Sequence, residues 1–281
     1  MIGQNLFMRF PEGRKKAVTL SYDDGVEADR RLMQIMDKHG LKGTFNLNSG
    51  LLLPEGETLP QNRHHRMSLP EALKLYTDCG HEVAIHGVTH GHFGQLPAGS
   101  RAYELAEDRR RLEELFGCVI QGAAYPYGDV SDDAVAALKA CGIVYARTVE
   151  STEKFDMPKD WLRLPATCHH DNPRIFELCE EFLNADSWRY PTMFYLWGHS
   201  YEYDDNNNWD VIEKFAEMMG GHEDIWYATN IEIVRYEEAY RQLRFGVDMK
   251  FAENPTATDI WFSLKKKDYM VPAGGFLALD E

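Results

Sequence analysis

Short apolar runs rich in β-branched and aromatic residues recur along the chain at positions 18–21, 43–47, 82–85, 122–125, 143–146, 193–197 and 225–227. The segments between them carry hydrophobic residues at helical spacing, at 28–39, 68 to about 78, 100–116, 131–140, 173–184, 208–219 and 231–243. Leu32, Ile35 and Met36 share one face of the first helix, which stops at Gly40, and Ser68-Leu69-Pro70-Glu71 reads as a capping box with proline in the first turn. Seven strand–helix alternations predict a parallel sheet, either closed into a barrel or open and doubly wound. The uneven spacing favours a distorted (β/α) barrel of about seven parallel strands. In either case the loops after the strand C-termini carry the site.

Two stretches break this rhythm. Residues 51–65 form a polar, proline-containing excursion, expected near the mouth of the site. Beyond residue 243 the period shortens to strand-like runs at 246–251, 259–264 and 269–271, with a turn at 272–275. The expected division is a barrel over residues 1–243 and a small C-terminal β appendage over 244–281, packed on it.

Composition narrows the function classes. The 281 residues are 44% hydrophobic and 27% charged, ordinary for a globular protein, and the net charge of -15 opposes nucleic acid or anionic membrane as a partner. No window approaches the roughly 18–20 apolar residues of a membrane span. The start lacks a basic segment leading into an apolar core, and the five cysteines (79, 118, 141, 168, 179) are widely spaced without a C-x-x-C pair. Both features fit a cytoplasmic protein with reduced thiols. Oligomeric state is not legible.

The chemistry sits at strand ends. Asp23-Asp24-Gly25 closes the first run and His86-x-x-x-His90 closes the third. One aspartate with two histidines suits zinc or a similar divalent ion with a position open for water, and the other aspartate is then free for proton transfer. An Asp-Gly turn and a pair of surface histidines are the bland alternatives; the combination predicts a metal-assisted hydrolase. His199 ends the run 193–198, where a general acid would serve. Cys168-His169-His170-Asp171 looks like a ligand cluster, but consecutive residues diverge, so one histidine is expected to face the cleft and the rest to be structural.

In this order these pieces resemble the polysaccharide deacetylase family, the NodB homology domain, over about residues 15–230. Ser21-Tyr22-Asp23-Asp24-Gly25 is close to its first motif, and His86-Gly87-Val88-Thr89-His90 keeps both histidines of the second but has glycine for the hydroxyl residue. Ala124-Tyr125-Pro126-Tyr127-Gly128 parallels the third motif with alanine for its arginine, and the run ending at His199 parallels the fifth. Asp160-Trp161 is the weak counterpart of the fourth. The resemblance implies removal of an acetyl group from an N-acetylated, less readily an O-acetylated, saccharide. It implies that Asp24, His86 and His90 hold one divalent ion, zinc first and Co2+, Ni2+ or Fe2+ as alternatives. Asp23 is then the base, the Tyr127 N–H meets the oxyanion, and His199 protonates the leaving amine. Tyr125 and Trp197 are candidates to line the substrate groove. Arg163 or Arg147 could replace the missing arginine. Two other readings stay open: a metal-dependent amidohydrolase acting on a small non-sugar amide or ureide, and an inactive glycan-binding relative.

Overall fold

The computed structural model describes residues 5–54, 56 and 64–279. From the N-terminus, β1 (Leu6–Arg9) precedes β2 (Lys16–Asp23), α1 (Asp29–Lys38), β3 (Gly43–Leu47), α2 (Leu69–Tyr76), β4 (Glu82–Ile85) and α3 (Ala98–Phe116). Then come β5 (Gly122–Ala124), α4 (Asp132–Ala140), β6 (Tyr145–Ser151), β7 (Leu164–Ala166), β8 (Cys168–His169) and α5 (Ile175–Asn184). The barrel ends with β9 (Thr192–Gly198), α6 (Tyr201–Asp205), α7 (Trp209–Met219), β10 (Ile225–Tyr227) and α8 (Asn230–Arg241). The strands from β2 to β9 pair in parallel, in the order β7-β6-β5-β4-β3-β2-β9-β8.

The ring closes through residues 164–169. β7 pairs with β6 while β8, two residues on, pairs with β9, so one extended segment joins both edges. No strand is expected there from sequence, because Pro165 and the polar Cys168-His169 pair lack an apolar run. The expected strand at 225–227 is present, but it pairs only with residues 16–18 at the start of β2 and does not stand between two neighbours.

Strand alternation separates two cores. Val18, Leu20 and Tyr22 of β2 and Phe194 and Leu196 of β9 pack outward among the helices with Leu32, Met36, Ile212 and Phe215. Met193, Tyr195 and Trp197 of β9 belong to a second cluster with Ala17, Tyr145 and Leu164. The helix stripes read from sequence therefore meet the outward face of each strand.

The C-terminal run forms two antiparallel sheets, built from β11 (Arg244–Phe245), β12 (Phe251–Glu253), β13 (Ile260–Leu264), β14 (Lys267–Val271) and β15 (Phe276–Ala278). One orders β11-β12-β15. The other is β1-β13-β14, so the N-terminal strand shares a sheet with the tail. Residues 246–250, expected within a strand, are instead the connection of the β11–β12 hairpin. Among the described residues no helix is long and apolar enough to cross a membrane.

Candidate functional site

The C-terminal end of β2 brings two carboxylates to one cavity. Ser21 and Asp23 face the interior, where the Asn46 amide donates to Ser21 Oγ (2.8 Å) and Asp23 Oδ1 (2.8 Å). Strict alternation would send Asp24 outward. Instead Asp24 has φ +85° and Gly25 φ +65°, a left-handed turn that swings the second carboxylate back toward the first. Both are buried, at 2% and 6% exposure.

β4 delivers the imidazoles. His86 Nδ1 donates to the Ala124 carbonyl (2.9 Å), which can only accept, so the proton sits on Nδ1 and Nε2 carries the lone pair. His90 Nε2 lies 3.1 Å from His86 Nε2 and 3.7 Å from Asp24 Oδ1. The intervening loop explains the glycine of the second motif: at Gly87 (φ +82°) a Cβ would lie 2.9 Å from the Phe93 ring and 3.0 Å from Glu104. The hydroxyl of this loop comes from Thr89, which bonds Glu104 Oε1 at 2.6 Å. Burial lowers the pKa of both histidines; His90, also beside His86, is pushed down to about 4. Both rings thus present lone pairs at neutral pH.

The donor set fits a metal. One oxygen of Asp24 and one nitrogen each of His86 and His90 all lie within 4.8 Å of one another. Bonds of about 2.0–2.2 Å to a tetrahedral ion place donors roughly 3.3–3.6 Å apart, close to the 3.1 and 3.7 Å found here.

Asp23 is held differently. Its Oδ2 accepts a hydrogen bond from Arg147, and His86 Nε2 and His199 Nε2 lie 3.7 and 3.8 Å from the same oxygen. Burial alone would raise its pKa; Arg147 and the two imidazoles outweigh that and hold it well below the carboxylate range. Arg147, opposite Ala124 in the β5–β6 register, brings its guanidinium to Asp23 from the neighbouring strand. Arg163 does not: it pairs with Asp160 (2.8 Å) and Asp132 (2.5 Å) at the surface. Trp197 lines the cavity, and its ring lies 4.3 Å from the Arg147 guanidinium and 4.5 Å from the His169 ring. Tyr125 borders the cavity, but its hydroxyl is tied to the Leu162 carbonyl (2.8 Å). Tyr127 has φ +59°, is 62% exposed, and stacks on His92 at 4.1 Å.

His199 sits on the other side of Asp23. Its Nδ1 is 3.3 Å from Glu202 Oε1, an ion-pair contact without hydrogen-bond alignment. Burial would lower its pKa; Glu202 and Asp23 more than offset this and raise it. Glu202 also meets His169 Nε2 (3.2 Å) and His170 Nε2 (3.0 Å), and these imidazoles hold it ionised despite burial. The expectation that one histidine of this pair faces the cleft is not met, since neither lines the cavity; both converge on Glu202. Asp160 caps a short helical turn through the Leu162 N–H (3.0 Å) and the Trp161 indole bonds Glu237, so the weak fourth-motif counterpart lies away from the site.

The cavity measures about 360 Å³. Asp23, Asp24, His86, His90, Tyr127 and His199 all line it, as do His64, Arg66 and Val149, which sequence reading missed. His64 stacks on Tyr201 at 3.9 Å, and Arg66 binds Asp24 Oδ1 at 2.8 Å. His64 lies near the end of the polar excursion and Arg66 just beyond it, and neither stands in a periodic run; residues 55 and 57–63 of the excursion lie outside the described residues.

Residues 11–146 match the family model for polysaccharide deacetylase. No curated protein matches the chain. Among solved structures, a Mycobacterium smegmatis protein assigned to the polysaccharide deacetylases is 19% identical with a TM-score of 0.61, the match covering 83% of this chain and 93% of that one. A family 4 carbohydrate esterase from Streptomyces lividans, in complex with acetate, is 16% identical with a TM-score of 0.51, covering 76% and 93%. Puue allantoinase is 13% identical with a TM-score of 0.59, covering 80% and 91%. At these identities the likeness is one of fold. Over residues 11–146 the chain matches the polysaccharide deacetylase model, and its fold is shared with solved structures assigned to that family.

Proposed function

We propose that the protein is a divalent-metal-dependent hydrolase that removes the acetyl group from an N-acetylated saccharide, with O-acetyl removal as the lesser variant. The observation that carries this reading is the convergence of Asp24, His86 and His90 beside an acid, Asp23, that is ionised yet outside the donor set. When bound by those three residues, a divalent ion, zinc by the donor chemistry, polarises the acetyl carbonyl and lowers the pKa of water.

The chain's own residues supply the rest. Asp23, kept anionic by Arg147, accepts the proton of the attacking water. Tyr127, at the cavity rim, offers its backbone N–H to the developing oxyanion. His199, kept protonated by Glu202, donates from Nε2 to the departing amine, which is a poor leaving group until it is protonated. Arg147 and Asn46 hold the Asp23 carboxylate in a fixed orientation, so little rearrangement is needed during proton transfer.

The test is acetate release from N-acetylated chito-oligosaccharides before chelation, after it, and after zinc is restored. Turnover that stops on chelation and returns with zinc supports the reading; turnover indifferent to chelation contradicts it. A second reading, hydrolysis of a small amide or ureide by the same groups, is supported by the cavity. Its volume of about 360 Å³ is at the small end of the roughly 300–1,000 Å³ usual for ligand sites. The stacked pairs Tyr127–His92 and His64–Tyr201 narrow its rim. A panel setting chito-oligosaccharides against small amides and ureides separates the two by kcat/KM.

A further inference from the structure

Asp24 and His90 both adopt left-handed backbone, at φ +85° and +61°. Such conformations cost of order 1–3 kcal/mol each and persist where the surroundings over-determine them. For Asp24 the surroundings are two groups. Its N–H donates to the Asn46 carbonyl (2.9 Å), and its own carbonyl and one carboxylate oxygen accept from Arg66. Nη1 of Arg66 donates to the Asp24 carbonyl (2.5 Å), and Nη2 donates to Asp24 Oδ1 (2.8 Å). One guanidinium thus fixes both the backbone and the carboxylate of the same residue.

The same Nη1 also donates to Asn48 Oδ1 at 2.8 Å. Asn48 is fully buried, and its amide donates to the carbonyls of His86 (2.6 Å) and Gly87 (2.8 Å). Arg66 is therefore the link between two loops that are remote in sequence, the one after β2 that carries Asp24 and the one after β4 that carries His86. It arrives at this point because residues 65–67 pair with residues 25–27: the Glu27 N–H donates to the His65 carbonyl (2.9 Å) and the Met67 N–H to the Gly25 carbonyl (2.9 Å).

We infer that Arg66 is a positioning residue for the metal centre, setting the Asp24 carboxylate at its distance from His86 and His90 by clamping Asp24 and, through Asn48, the His86 backbone. The inference rests on the metal reading given above. The pairing of residues 65–67 with 25–27 then has a defined task, which is to bring this guanidinium to the site. A lysine cannot replace it, since one ammonium lacks the planar fork that meets a carbonyl, a carboxylate and an amide oxygen together.

The test titrates metal-free wild type, Arg66→Ala and Arg66→Lys with zinc against a chromophoric chelator, and records the visible spectrum of each with cobalt. Loss of a group that orients a ligand weakens metal binding about 10–100-fold. Arg66→Ala is expected to show that loss together with a changed cobalt spectrum. Arg66→Lys, which keeps the charge, is expected to fall between it and wild type. A variant that folds, binds zinc within about twofold of wild type and keeps the wild-type cobalt spectrum overturns the inference; where Arg66→Ala does not fold, Arg66→Lys decides by the same criterion. Wild type that binds neither ion overturns the metal reading itself, an outcome distinct from tight wild-type binding left unchanged by both variants.

Discussion

Two clusters of imidazole and carboxylate lie near Asp23, and His90 in one and His199 in the other are tuned in opposite directions, while buried His170 is lowered like His90. On one side, His86 and His90 meet Asp24, with Arg66 and Arg147 close by, and burial drives both histidines toward the neutral form. On the other side, His169, His170 and His199 meet Glu202, with no arginine bound to that carboxylate among the described contacts, and His199 is pushed toward the charged form. The difference lies in the balance: burial outweighs the nearby carboxylates at His86 and His90, whereas Glu202 and Asp23 outweigh burial at His199. On the proposed reading, one side holds a cation and the other delivers a proton.

Breaking the cation side has the largest expected effect. His90→Ala removes one of three donors, so bound zinc, measured by mass spectrometry of the dialysed protein, should fall from one per chain to near zero along with all acetate release. Next is Asp23→Asn, which keeps the shape and removes the base. Its kcat is expected to drop about 10²–10⁴-fold with the zinc content unchanged, and equal turnover would show that Asp23 is not the base. Third is Arg147→Met, which leaves a buried carboxylate without its cation. A loss of about 3–5 kcal/mol in denaturant unfolding is expected, and a loss below about 1 kcal/mol would show that Asp23 does not depend on this partner.

The smallest effect sharpens the proton side. The raised pKa of His199 means that it stays protonated to higher pH, and activity is lost as pH rises through that value. Glu202→Gln removes the carboxylate that raises it. The alkaline limb of the kcat profile should therefore move to lower pH, while zinc content and the acid limb stay put. An unmoved alkaline limb would detach Glu202 from His199.

What could be read from sequence follows the range of the interactions. Asp23, Asp24, His86, His90 and His199 were legible because each ends an apolar run whose period marks a strand, and loops after strands point into one mouth. Tyr125 was legible as a cavity residue, but not the bond from its hydroxyl to Leu162. Residues 164–169 were not, because a strand that changes partners within six residues and contains proline has no apolar signature. β1 was missed because its partner lies at residues 260–264, a pairing no local pattern records. Arg147 could be named only as one of two candidates, since choosing between it and Arg163 requires knowing which side chain β6 turns inward. Arg66, His64 and Glu202 carry no periodic cue and gain meaning only when three loops meet. Gly87, which departs from the family motif, makes sense once Phe93 and Glu104 are seen against it.

The central claim is that a cation is gripped between β2 and β4 rather than beside Glu202. The direct measurement is anomalous scattering at the zinc edge from crystals grown with zinc. The expected result is one peak about 2.0–2.2 Å from His86 Nε2, His90 Nε2 and an oxygen of Asp24. A peak among His169, His170 and Glu202 with none at Asp24, or no peak at either cluster, would contradict the account.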